Sequence, residues 1–289
     1  MTPALLLRLG RVSNLPTVWT NAMAGFALAG GTPQFVPLAL LALAASLLYT
    51  GGMVLNDVYD ADIDAKQRPE RPIPSGLVTR DEARAWGFGL LVAGVIVATL
   101  TGRFAVAPTW APAIAALVTA GLVVVYDMWH KGNPAAPIVM GLCRAGIYAI
   151  AAVCVTTRPG PTLVTGALLL CVYVVSLTYI AKFEASGSLG RTWPVLGVYA
   201  PGLWSWGRAK GRWPVRILAL AQNAWAWWAA SQARRGDPKH TRTAVVSLIA
   251  GISLVDAAFI AQVGHVGLAF VAVAAFAGTL VSQRYVAGT

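Results

Sequence analysis

Apolar residues run through this chain in long, nearly unbroken blocks rather than at the three-to-four-residue spacing of a soluble amphipathic helix. Such blocks lie at 15–31, 34–55, 84–101, 106–126, 135–156, 161–181, 192–206, 213–233, 242–262 and 265–285. Most approach the roughly 20 residues that an α-helix needs to cross about 30 Å of hydrocarbon. The 192–206 block is short and interrupted by Pro201 and Gly202, so it reads as a partial or kinked helix, which leaves nine spans. Gly and Ala recur within the blocks, as close helix packing in lipid favours. Trp19, Trp86, Trp110, Trp193 and Tyr285 stand near block ends, where amphipathic rings sit at the lipid–water interface. The stretch QNAWAWWAAS reads in the same way, as interfacial anchoring. The pattern predicts an all-α integral membrane protein, a bundle of about nine transmembrane helices in a single domain over residues 1–289, without a tandem repeat.

Composition agrees. The chain is 57% hydrophobic and 11% charged, with a mean hydropathy of +0.65, against about 25% charged in a soluble domain. A net charge of +11 is explained by the membrane rather than by nucleic acid, because Lys and Arg gather in short loops. Arg8 and Arg11 precede the first block; Lys66, Arg68, Arg71, Arg80 and Arg84 follow the second; Lys131 follows the fourth; Lys182 and Arg191 follow the sixth. This places the N-terminus and the even-numbered loops on the cytoplasmic side of an inner membrane. Beyond residue 206 both Arg208–Arg216 and Arg234–Arg242 are basic, and the rule assigns no side. No small-residue cleavage site follows a charged leader, so the first block is expected to be a retained helix. Cys143, Cys154 and Cys171 lie in apolar stretches without a CxxC pair and read as small buried hydrophobes.

The exception to this apolar character is NDVYDADIDAKQRPERPIPSG, from Asn56 to Gly76. Of 11 acidic residues in the chain, Asp57, Asp60, Asp62 and Asp64 fall within this one stretch. If the second helix continues through Asp64, then Asn56, Asp60 and Asp64 lie within an arc of about 80°, Asp57 just joins them and Asp62 points away. Like charges at this spacing repel, and a divalent cation reverses the sign. Hard oxygen ligands suit Mg²⁺, which shares its shell with water and substrate phosphates. Lys66, Arg68 and Arg71 follow and could bind the same phosphates. A solvated helix end would also carry charges. Three features favour a diphosphate bridged by Mg²⁺ at the bilayer surface: the concentration of acids, their shared face, and the stiff RPERPIPSG loop with its turn at Ser75-Gly76.

Asn56-x3-Asp60-x3-Asp64, followed by Arg68 and then Arg71-Pro72-x-Pro74-Ser75-Gly76, resembles the first signature of the UbiA superfamily of membrane prenyltransferases. LLRLGRVSNLPTVWTNAMAGF is similar to that family's first helix. The resemblance implies a bundle of about nine spans around a central cavity open to lipid. It also implies Mg²⁺-dependent transfer of a prenyl group from a polyprenyl diphosphate to an aromatic ring or another lipophilic nucleophile. Asn56, Asp60 and Asp64 would hold the metal, and Arg68 and Arg71 the diphosphate, offsetting the charge that grows on the leaving group. Apolar helices would hold the tail and exclude water from the allylic cation.

The second signature of that family, D-x-x-x-D after the sixth helix, is degenerate here. The loop reads YIAKFEASGSLGRTWP, with Lys182 and Ser186 at the aspartate positions and Glu184 between them. Lys182 is read as a fixed positive charge in place of a metal, or more simply as a snorkelling lysine. The loop after the fourth block, YDMWHKGNPAAP, corresponds to the family's Y-x3-K, with His130 at the usual spot and Lys131 one residue later. Lys131 is expected on the diphosphate, Tyr126 in the cavity wall, and Asp127 beside Lys131; His130 is read as an interfacial histidine or a base. Arg144, well inside the fifth block, would face the cavity or pair with a neighbouring helix. Asn14 and Glu184 are further cavity candidates, and Asp256 is expected to meet Glu184 or Arg144. With Asp60, Asp64, Lys131, Lys182 and Tyr126 as catalytic residues, the expected function is prenyl transfer. The alternative is an eroded relative that binds or moves an isoprenoid lipid. A CDP-alcohol phosphotransferase is disfavoured because its D-x2-D-G-x2-A-R-x8-G-x3-D-x3-D string does not occur.

Overall fold

A computed structural model describes residues 2–106, 108–184, 193–235, 237–286 and 288, without the side chains of 183, 184, 193 and 194. The described residues contain helices and no strand. In order these are α1 (Pro3–Leu9), α2 (Leu15–Leu28), α3 (Phe35–Gln67), α4 (Arg80–Thr101), α5 (Ala111–Trp129), α6 (Ala136–Val153), α7 (Pro161–Glu184), α8 (Ala200–Arg208), α9 (Trp213–Ala233), α10 (Pro238–Gln262) and α11 (Val266–Ser282). Tight 3₁₀ turns precede α2 and α8 and follow α4.

Six helices, α3 to α7 and α10, are long and apolar enough to cross a bilayer, and α11 is a shorter apolar helix. The 14 residues of α2 span only about 21 Å, and α9 breaks its apolar run with Arg216, Gln222 and Asn223. Length and composition therefore support six of the nine expected spans. The 192–206 block divides as its proline suggests, though differently in detail: α8 begins at Ala200, so Pro201 sits in its first turn and starts a helix rather than interrupting one.

Helix α3 carries 33 residues without a break, about 50 Å, well beyond the hydrocarbon thickness. Its apolar first part crosses the membrane and its last turns carry the acidic stretch outward. Helix α10 is the centre of the bundle: 89% of its apolar window is buried, packed among α2, α7, α9 and α11. Helices α3, α5, α6, α7 and α10, with Arg11 and Asn14 from the segment before α2, line a cavity of about 220 Å³.

Close helix approach fixes the packing of α2 on α6. At Gly25 of α2, a Cβ would lie 2.6 Å from the Tyr148 Cα and 2.7 Å from its carbonyl oxygen on α6. The contact is backbone against backbone and cannot be relieved by a rotamer change. Gly25→Ala is expected to push α2 off α6 and destabilise the protein by about 1–3 kcal/mol, read as a lower Tm in detergent; an unchanged Tm would show that the two helices separate freely.

Candidate functional site

The expected helical face forms. Asn56, Asp57, Asp60 and Asp64 are all buried, whereas the Asp62 side chain is 80% exposed and reaches outward to Arg80 Nη1 at 3.1 Å. Three cations and a histidine from three separate segments cover the buried acids. Arg11 Nη2 lies 3.1 Å from Asp57 Oδ1. Arg71 Nη1 lies 3.2 Å from the same oxygen and 2.8 Å from Asp64 Oδ2. Lys131 Nζ is 3.1 Å from Asp60 Oδ2, and His130 Nε2 is 3.2 Å from Asp60 Oδ1.

Local structure delivers each of these groups. The α3–α4 loop turns back through Ser75 N–H to the Arg71 carbonyl and Gly76 N–H to the Ile73 carbonyl, with Gly76 at φ 75°. Ile73 and Val78 then pack with Leu9, Val54, Val58 and Ala83, which anchors the loop against α3 and directs Arg71 inward. Arg11 follows α1 with φ 44°, a left-handed conformation that costs a non-glycine residue about 1–3 kcal/mol and persists only where the surroundings demand it. Burial works against the Arg11 charge, but Asp57, with smaller help from Tyr49 and Asp60, holds its pKa above that of an ordinary arginine.

The residues fit a hard cation. Asp127 Oδ2 is buried without a hydrogen-bond partner, and Asp60 Oδ1 is buried with only the His130 Nε2 contact at 3.2 Å beside it. Asn56 Nδ2 donates to Asp127 Oδ1 at 3.2 Å, which leaves the Asn56 amide oxygen free to act as a ligand. Carboxylate and amide oxygens of this kind, completed by water and phosphate, are the set that Mg²⁺ takes. Among the described residues no three acidic, histidine or cysteine side chains are gathered as a ready metal cluster, because the acids are turned toward their cations.

The cavity begins beside this cluster. Arg11, Tyr126 and Asp127 line one end, Leu48, Ile147, Val174, Leu177 and Ile252 its apolar wall. Tyr126 stacks on His130 with ring centroids 5.0 Å apart. Deeper in, Asn14 donates to Tyr49 Oη at 3.2 Å, and Arg144 Nη1 donates to Thr17 Oγ1 at 3.2 Å and Asn21 Oδ1 at 2.9 Å.

The structure thus brings together Asn56, Asp60, Asp64, Arg71 and Lys131, and places Tyr126, Asn14 and Arg144 on the cavity. It does not bring in Arg68, whose side chain is exposed while its N–H caps the Asp64 carbonyl at 2.7 Å. Lys182 Nζ donates to the Asn133 carbonyl at 2.7 Å, so it ties α7 to the loop after His130 and Lys131 rather than touching the acids. The Glu184 side chain and Ser186 lie outside the described residues. Two expected pairings are corrected. Asp127 meets Asn56 rather than Lys131, because Lys131 turns to Asp60. Asp256 is satisfied by Thr20, Asn21 and Tyr148; Asn21 stands between it and Arg144. Arg11 was missed as a site residue, since nothing local marks a partner 46 residues away. His130 carried a signal in its Y-x3-K position.

Arg71 is the cation shared by two acids. Arg71→Met should leave Asp57 and Asp64 undercompensated and cost about 2–3 kcal/mol, and adding Asp57→Asn should restore part of the loss. Additive losses in the double variant, followed by thermal unfolding, would mean that the pair does not interact.

Comparison with known proteins matches this architecture. Residues 17–252, most of the chain, match the UbiA prenyltransferase family. The digeranylgeranylglyceryl phosphate synthase of Methanoculleus marisnigri is 34% identical over 134 residues, 46% of this chain and 45% of that protein. That of Methanopyrus kandleri is 34% identical over 155 residues, 54% of each. The chain aligns with about half the length of these relatives. Among solved structures, a study of digeranylgeranylglyceryl phosphate synthase in membranes provides one that superposes with a TM-score of 0.62 at 18% identity, over 90% of this chain and 98% of that one. The apo structure of a UbiA homolog from Aeropyrum pernix K1 gives 0.50 at 17% identity, over 95% and 97%. These structures share the fold, the family match covers the acidic helix and the cavity, and the chain belongs to the UbiA prenyltransferase family.

Proposed function

We propose that the chain transfers a prenyl group from a polyprenyl diphosphate to a lipophilic acceptor bearing a glyceryl phosphate. The observation that carries this reading is the buried face of Asn56, Asp60 and Asp64 at the mouth of an apolar cavity, ringed by Arg11, Arg71, His130 and Lys131. A diphosphate with its hydrocarbon tail needs that pairing of a charged end with a greasy one. The named product of the relatives supports a glyceryl phosphate acceptor in place of an aromatic ring. Loop charges support a cytoplasmic placement of the polar end.

In this reading Asn56, Asp60 and Asp64, with Asp127 beside them, would hold Mg²⁺. Bound there, the ion would offset the negative charge that develops on departing pyrophosphate. Lys131 and Arg71 swing from their carboxylates onto the phosphate oxygens, so the cations that compensate the acids in the free protein bind the donor in the loaded one. Tyr126 and the apolar wall orient the allylic carbon and keep water from it. The acceptor oxygen bonds to that carbon as the carbon–oxygen bond to diphosphate breaks, and its proton leaves to pyrophosphate or solvent. Lys182 acts through Asn133, holding the loop that presents Lys131.

The test is pyrophosphate release from geranyl, farnesyl and geranylgeranyl diphosphates by protein in lipid, with geranylgeranylglyceryl phosphate as acceptor. Release should require Mg²⁺ and fall roughly 100-fold or more in Asp60→Asn/Asp64→Asn. Binding of donor without release under all conditions would support instead an eroded, lipid-binding relative, which the degenerate KFEAS segment favours. Lys182→Ala should weaken the donor KM several-fold; full activity at saturating Mg²⁺ would remove Lys182 from the site.

A further inference from the structure

Two cations line the cavity, Arg11 and Arg144. The Arg11 charge is taken up by Asp57. Arg144 is different. It is only 8% exposed, and among the described residues no carboxylate lies within ion-pairing distance of it. Both of its hydrogen bonds leave from Nη1, to Thr17 and Asn21, so Nε and Nη2 have no protein acceptor among the described residues. Its guanidinium lies over the Tyr49 ring, 5.3 Å from the centroid.

The surroundings hold this charge in place without a direct ion pair. Asp256 on α10 is wholly buried, but its Oδ2 accepts from Thr20 Oγ1 at 2.5 Å and Asn21 Nδ2 at 2.8 Å, and its Oδ1 from Tyr148 Oη at 2.5 Å. Asn21 therefore faces Arg144 with its oxygen and Asp256 with its amide nitrogen. The close approach at Gly25, one turn further along α2, keeps Asn21 against α6. A buried guanidinium without an ion pair is costly, and the donors it leaves open face a cavity. They suit an oxyanion, which a guanidinium binds through two parallel N–H groups.

Position along α3 fits the same ligand. Tyr49 precedes Asn56 by seven residues, about 10 Å along the helix axis. An anion held over Tyr49 would thus sit inside the cavity, about two turns from a diphosphate at Asn56 and Asp60 beside its end. A small head with an anion and a nucleophilic oxygen a few bonds apart can bridge them.

We propose that Arg144, positioned by Thr17 and Asn21, binds the anionic head of the acceptor and makes negative charge a requirement for acceptor use. This rests on the prenyl-transfer reading of the cavity and adds the residue that selects the second substrate.

The experiment measures binding to the full chain in lipid nanodiscs, in two matched pairs of probes. One pair is geranylgeranylglyceryl phosphate and its dephosphorylated alcohol; the other is a hydroxylated aromatic acid and its methyl ester. The proteins are wild type, Arg144→Gln, Asp256→Asn and Arg144→Gln/Asp256→Asn, with Mg²⁺-dependent binding of farnesyl thiodiphosphate as the internal reference. Wild type should prefer an anionic probe over its neutral partner by about 10- to 100-fold. Preference in the first pair assigns the head as a phosphate, and preference in the second alone assigns it as a carboxylate. Asp256→Asn should keep the preference, and both Arg144 variants should lose it. The double variant guards against misfolding, because it removes both buried charges together. If the double variant regains the preference, Arg144 only balances Asp256 and the proposal is wrong. It is equally wrong if wild type binds charged and neutral probes alike. Absence of any Mg²⁺-dependent donor turnover in wild type would overturn the transfer reading separately, while the binding ratio still decides the role of Arg144.

Discussion

Carboxylates packed on one buried helix face repel one another, and the rest of the polar end of the bundle is arranged to answer that repulsion. Asp57, Asp60 and Asp64 sit on the last turns of α3 with little access to water. Each is met by a cation delivered from another segment: Arg11 from the turn after α1, Arg71 from the α3–α4 loop, and Lys131, with His130 beside it, from the end of α5. The compensation also acts as a set of staples, because three segments that share no hydrogen-bonded secondary structure are joined through α3. A left-handed Arg11 and a loop stiffened by Pro72 and Pro74 are the local costs of placing those cations.

The same compensation keeps the site adjustable. Ion pairs between side chains can open when a metal and a phosphate offer stronger partners, whereas a backbone framework cannot. The orphaned oxygens of Asp60 and Asp127 mark where the arrangement is incomplete with protein groups alone. Buried polar atoms in native proteins are nearly always satisfied, and the proposed metal ligation would satisfy these two oxygens.

Deeper in the bundle the constraint is hydrocarbon rather than repulsion. Asp256, Asn21, Thr20, Tyr148 and Arg144 join α2, α6 and α10 through side-chain hydrogen bonds. Ionisable residues at this depth are tolerated when they satisfy one another or line a cavity. Asp256 meets the first condition and Arg144 the second. The network fixes α10 against α2 while leaving the guanidinium facing open space.

Much of this was legible in the chain itself. Continuous apolar runs determined a helical membrane protein, because unpaired backbone groups are too costly in hydrocarbon for an open alternative. The i, i+4, i+8 spacing determined that Asn56, Asp60 and Asp64 share a face and that Asp62 does not, since helical geometry is local. What the sequence could not determine was which cation meets which acid. Arg11 and Asp57 are 46 residues apart, and Arg144 and Thr17 are 127 apart. Lys131 lies beside Asp60, but Asp127, its neighbour by four positions, turned to Asn56 instead. Such pairings depend on the distance and direction of side chains carried by different helices. Those are set only when the helices pack, at contacts as close as Gly25 on Tyr148, so the tertiary structure alone decided them.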